Sequence, residues 1–125
     1  MPSQYRTDTI EKIIQYAIEE YNLQDWSFDF KDCTPEDAFA AIPYAISYDY
    51  SQEETRGIGG LAYATNQTIF LFWKGLKSFG QRMWIIAHEI GHAVHFTNHP
   101  ELTDPSEREI FADNIANQIL DELGL

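Results

Sequence analysis

Apolar residues fall at helical spacing near the start of the chain. In DTIEKIIQYAIEEYN, Ile10, Ile13, Ile14, Ala17, Ile18 and Tyr21 share one face, which is the recurrence of an amphipathic helix. Asp8, with Glu11 three residues on, makes a capping-box start, and the helix is expected to end near Asn22. The period then shortens to two. Trp26, Phe28 and Phe30 alternate with polar residues in WSFDF, as in a half-buried strand. KDCTPEDAFAAIP reads as an irregular connection with a helical turn after Pro35, and AISYDY as a second strand. After the polar SQEETRG, IGGLAYAT resumes an extended pattern interrupted by Gly59 and Gly60. Asn66 and Gln67 mark a tight turn before TIFLFW, residues 68–73, which is β-branched and aromatic throughout. Residues 45–73 thus predict a meander of three antiparallel strands.

The pattern reverts to helix after KGLKSFG. QRMWIIAHEIGHAVHF is apolar on most sides, so this helix is expected to be buried, and His99-Pro100 ends it. TDPSEREIFADNIANQILDEL opens a further helix with Asp104 as N-cap, Pro105 in the first turn and Glu107 completing the box. Its apolar face runs through Ile110 or Phe111, then Ile115, Ile119 and Leu123. The expected class is α+β: an N-terminal helix, a twisted, mainly antiparallel sheet and two C-terminal helices. At 125 residues the chain suits one domain, residues 1–125.

Composition narrows the partners. Twenty acidic against eight basic residues give a formal charge of −12. Nucleic-acid backbones and anionic membranes would be repelled. Cys33 is the only cysteine, so neither an intramolecular disulfide nor a cysteine-based metal cluster is available. With no apolar leader and no membrane-length apolar run, a cytoplasmic location is expected.

Within the buried helix lies HEIGH. Residues four apart on a helix differ by about 40° in azimuth and about 6 Å in height, so His88 and His92 can converge on one ion. Glu89 points about 100° away from His88. It is badly placed to ligate the same ion but can reach a water bound to it, which suits hydrolytic zinc chemistry. Gly91 costs helix propensity of about 1 kcal/mol against alanine, and close approach of another backbone would justify it. The flanking apolar residues bury the three polar groups, which then need partners.

A catalytic zinc keeps three protein ligands. The downstream candidates are His95, His99, Glu101, Asp104, Glu107, Glu109 and Asp113. His95 shares the helix with His88 and His92 and is expected to support a ligand, line the cleft or face solvent. His99 would need a sharp turn, and Glu107 is explained by capping. Glu109 sits one turn into the next helix beside small Ala112 and Ala116. A helix returning antiparallel would present it to the metal, with Asp113 one turn on to hydrogen-bond the free nitrogen of a ligand histidine.

HEIGHAVHF followed by EREIFADNIANQIL resembles the gluzincin zinc metallopeptidases, most closely the small ImmA/IrrE-like group. Glu109, Ala112, Asp113, Ile115 and Ala116 match that group's second helical pattern, and the similarity spans roughly residues 58–123. Phe111 stands where the group often carries another acid, and its usual C-terminal LLxP ending is absent. The resemblance implies a small zincin-like domain, Zn²⁺ held by His88, His92 and Glu109, and Glu89 as general base and acid in peptide hydrolysis. It also implies a protein or peptide substrate extended along an edge strand, here Gly60, Leu61 and Ala62 within residues 59–65. Tyr63, His95 and Tyr48 are the candidates for steadying the oxyanion. The competing expectation is a zinc-binding regulatory module with little or no peptidase activity.

Overall fold

In a computed structural model, which describes residues 8–34, 59–64, 67–75 and 78–125, the chain is α+β. Helix α1 (Asp8–Tyr21) is followed by strand β1 (Ser27–Lys31), then β2 (Gly60–Tyr63) and β3 (Thr68–Phe72). A single 3₁₀ turn, Trp73–Gly75, leads to α2 (Phe79–Asn98) and α3 (Pro105–Glu122). The proposed helical turn after Pro35 and the strand at 45–50 lie outside the described residues, as does Tyr48.

The helical pattern of α1 is realised: Ile10, Ile13, Ile14 and Ala17 are buried. Asn22, with φ 59°, stops the helix in the left-handed region. Two hydrogen bonds tie this end of the chain to the far end of α2. Trp26 Nε1 donates to Thr97 Oγ1 at 2.8 Å, and Asn98 Nδ2 donates to the Tyr21 carbonyl at 3.1 Å.

The sheet order is β1-β3-β2. β2 and β3 pair antiparallel, Gly60 opposite Leu71, as the meander pattern predicts. β1 joins the other side of β3 in parallel, Phe28 beside Ile69 and Phe30 beside Leu71, so the sheet is mixed. Alternation in WSFDF identifies a strand but carries no information on the direction of its partner. The central strand is buried on both faces. Ile69 and Leu71 face the helices, whereas Phe70 and Phe72 pack with Leu61 on the other side, beside Cys33 and Tyr63. This two-sided burial is why TIFLFW shows no alternation.

α3 begins where the sequence places it, whereas α2 begins two residues before the expected Gln81, with Ser78 as its cap. The Ser78 side chain accepts from Gln81 N–H, and the Asp104 carboxylate accepts from Glu107 N–H, with Pro105 in the first turn. Between Ile110 and Phe111 the structure selects Phe111, which packs on the core while Ile110 is 61% exposed. No helix among the described residues is long and apolar enough to cross a membrane.

α2 lies between the sheet and α3, and its contact with α3 is unusually close at one point. A Cβ built on Gly91 would stand 2.6 Å from both Cα and the carbonyl oxygen of Ala112. Those are backbone atoms and cannot rotate away. Gly91 therefore exists for proximity, and Ala112 is its small counterpart. The Gly91→Ala variant gains about 1 kcal/mol of helix propensity but must push α3 outward, an overpacking cost of about 1–3 kcal/mol. Overpacking is expected to win, lowering Tm by several degrees. An unchanged or raised Tm in thermal denaturation would show that the helices do not meet here.

Candidate metal centre

The close crossing of α2 and α3 brings three donors together. His88, His92 and Glu109 each offer one ligand atom, all within 4.8 Å of one another, and the group can hold a metal ion. The Glu109 carboxylate spans the two imidazoles: Oε1 lies 3.3 Å from His88 Nε2 and Oε2 lies 2.8 Å from His92 Nε2. Donors surrounding a tetrahedral ion at about 2.0–2.2 Å are separated by about 3.2–3.6 Å. The first distance already fits. The second needs a few tenths of an ångström, which the half-exposed Glu109 side chain can supply.

The imidazoles are held from behind as well. His88 Nδ1 is 2.9 Å from Asp113 Oδ1, the support expected from the position of Asp113 one turn beyond Glu109. His92 Nδ1 is 2.8 Å from His95 Nε2. Of the three roles open to His95, its full burial excludes facing solvent. His99, by contrast, is exposed and faces Glu101 at 3.4 Å, away from the cluster.

Glu89 is the most constrained acid. It is fully buried, and neither carboxylate oxygen has a hydrogen-bond partner among the described residues. A Cβ on Gly60 would meet Glu89 Cγ at 2.9 Å and Ile85 Cγ2 at 3.0 Å, so β2 presses directly on this side chain. The two glycines of IGGLAYAT thus serve different ends: Gly59 adopts φ 80°, whereas Gly60 supplies space. Burial raises the Glu89 carboxyl above its ordinary range, opposed by the nearby His92 and His88 and by the Ala62 backbone. A buried carboxylate facing two imidazoles needs a polar occupant to face it.

Gly60, Leu61 and Ala62, expected along an edge strand, do form the edge of the described sheet. All three residues are buried. What they offer outward is backbone. Phe72 N–H donates to the Gly59 carbonyl at 2.7 Å, so with the observed register the bonds to β3 fall on Gly59, Leu61 and Tyr63. The N–H and C=O groups of Gly60 and Ala62 then point away from β3.

The acids and imidazoles of the cluster shift one another's protonation. For His88, burial pulls the imidazole pKa down, but the Glu109 hydrogen bond and the charges of Glu89, Glu109 and Asp113 prevail and raise it to about 9. For Glu109, burial pushes upward and is overruled by hydrogen bonds to His88 and His92, which hold the carboxyl well below its usual range. His95 behaves oppositely: burial, then His92 and Arg108, drive it down to about 3, so this ring is neutral.

No protein-family model, curated protein or solved structure matches this chain.

Two outcomes are expected. Asp113→Ala removes the acceptor behind His88 and should weaken divalent-metal binding by about 10–100-fold, read by optical titration with Co²⁺; Asp113→Asn, which keeps an acceptor oxygen, should lose less. Equal affinities for wild type and both variants would remove Asp113 from the centre. In chelated protein, the His88 pKa is raised on folding, so its stabilisation is complete below pH 6.5 and lost as pH rises through about 9. Urea midpoints of the metal-free protein should therefore fall across that window, while metal affinity rises because protons no longer compete for the imidazoles. A flat midpoint between pH 6.5 and 9 would exclude the His88–Glu109 pairing.

Proposed function

We propose that this protein is a zinc-dependent peptidase of gluzincin type, hydrolysing peptide bonds with Glu89 as general base and acid. The observation that carries the reading is the buried Glu89 carboxylate, both oxygens without partners, set beside the His88–His92–Glu109 group. A purely structural metal site closes with four protein ligands, whereas a catalytic one keeps three and an open position. Among the described residues the group has three. Two imidazoles and a carboxylate are also a donor set suited to Zn²⁺.

When bound, zinc would supply Lewis acidity toward the scissile carbonyl and make its water more acidic. The chain's own groups carry the proton. Glu89 accepts one from the attacking water as the water oxygen bonds to the carbonyl carbon. As the C–N bond breaks, Glu89 delivers that proton to the nitrogen, leaving a carboxylic acid and an amine. Burial helps both halves: a carboxyl raised above its ordinary range holds the proton long enough to return it. His88 and His92 would hold the ion through Nε2, with Asp113 and His95 behind their Nδ1 atoms. Substrate backbone would pair with the outward N–H and C=O groups of Gly60 and Ala62 on β2, the strand-addition mode of peptide recognition. Gly60 also keeps β2 close enough for a carbonyl so bound to lie near Glu89.

Glu89→Gln tests the assignment, because the amide keeps the shape of the side chain and removes the base. The variant should retain about one zinc per chain, measured by elemental analysis of the purified protein. Its cleavage of a peptide library, read by mass spectrometry, should fall by about 10²–10⁴-fold. Zinc retained by wild type without any cleavage would favour a metal-binding regulatory module. Full activity in Glu89→Gln would overturn the role given to Glu89.

A further inference from the structure

The His92–His95 contact is a 2.8 Å approach of two ring nitrogens inside the protein. Such a contact holds one proton, donated by one ring and accepted by the other. Ligation decides which. A histidine that gives its Nε2 lone pair to a metal carries its proton on Nδ1. His92 must then donate, and His95 Nε2 must accept. From this we infer that His95 is a positioning residue for the metal centre: its unprotonated Nε2 fixes the tautomer and ring orientation of His92, so that the His92 Nε2 lone pair faces the ion. The inference rests on His88, His92 and Glu109 being the metal ligands.

Three further observations fit this role. His95 is completely buried, so water does not compete for its Nε2. Its ring is seated between Phe96, at a centroid distance of 4.2 Å, and Phe111, at 6.1 Å and nearly perpendicular, which fixes its orientation. Its other nitrogen, Nδ1, is buried with no hydrogen-bond partner among the described residues. An unpartnered buried nitrogen is costly, and a ring kept only for packing would be served better by phenylalanine. The His92 contact supplies the reason for an imidazole. The spacing adds to its economy: His95 lies three residues after His92 on the same helix, so α2 carries both a ligand and that ligand's support, and their alignment does not depend on a loop.

His95 therefore belongs with Asp113. One supports His92 from within α2, and the other supports His88 from α3. The two rings of the HEIGH motif are oriented by different elements, one neutral and one acidic.

The test uses the full chain, with zinc affinity read by competition against a chromophoric chelator. His95→Phe keeps a ring between Phe96 and Phe111 but removes the acceptor, and should weaken zinc binding by about 10–100-fold. His95→Gln restores an acceptor oxygen and should recover affinity to within a few-fold. Independently of any variant, long-range ¹H–¹⁵N spectra of the zinc-loaded wild type should show His95 protonated at Nδ1 and bare at Nε2. Wild-type affinity in His95→Phe, or a proton on His95 Nε2 in the zinc-loaded protein, would overturn the inference while leaving the metal centre intact. Should folded wild-type protein bind no zinc, the ligand assignment itself would fall, and this role with it. If His95→Phe does not fold, the glutamine variant and the wild-type spectra still decide.

Discussion

Everything at the candidate metal centre depends on how closely two helices can approach. At Gly91 the α2 helix has no side chain, and the Ala112 backbone of α3 occupies the space where one would be. Glu109 and Asp113 lie within one turn of Ala112, so their positions against His88 and His92 are set by this contact. Moving α3 outward by the width of a methyl group would carry Glu109 away from both imidazoles. A glycine that weakens α2 as an isolated helix thus makes the interhelical site possible.

A second close approach acts on the other side of α2. Gly60 lets β2 press against Glu89 and Ile85, so the helix carrying His88 and His92 is clamped between a strand and a helix, each admitted by a glycine. The consequence is electrostatic. Glu89, His88 and His92 are removed from water, and each must find its interactions inside the protein. His88 and His92 find Glu109, Asp113 and His95, whereas the oxygens of Glu89 feel the Ala62 backbone but have no close hydrogen-bond partner among the described residues. His88 and His92 are therefore partnered, while one buried carboxylate beside them is not, an asymmetry expected where a polar guest must be met.

The outer edge of the site is acidic and solvent-exposed. Glu109 and Asp113 are about half exposed, whereas the imidazoles they contact are almost wholly covered. The nitrogen donors are thus fixed by packing on the sheet, and the carboxylates close over them from α3. In the metal-free protein the negative carboxylates stabilise a charged His88, so the same groups that would bind a cation hold a proton in its place.

The sequence alone determined those features governed by local periodicity. Helical spacing placed His88 and His92 on one face with Glu89 turned aside, and the Asp104-Pro105 start fixed the phase of α3, from which Glu109 and Asp113 follow as one face. These relations are set by backbone geometry within a single element. The glycine in HEIGH could also be read as a demand for close packing, because its cost to the helix is local even though its reason is not. What lay beyond the sequence were relations between elements. Alternation in WSFDF gave a strand but not its parallel pairing with β3, since the chain between them is long enough for either direction. His95 could have faced a ligand, the cleft or solvent until packing with Phe96 and Phe111 turned its ring inward. Gly60 read as a place for substrate, and only the packing of β2 on α2 revealed that it also makes room for Glu89. Local geometry fixes which residues share a face, whereas the distances that turn a face into a site arise from packing between elements far apart in the chain.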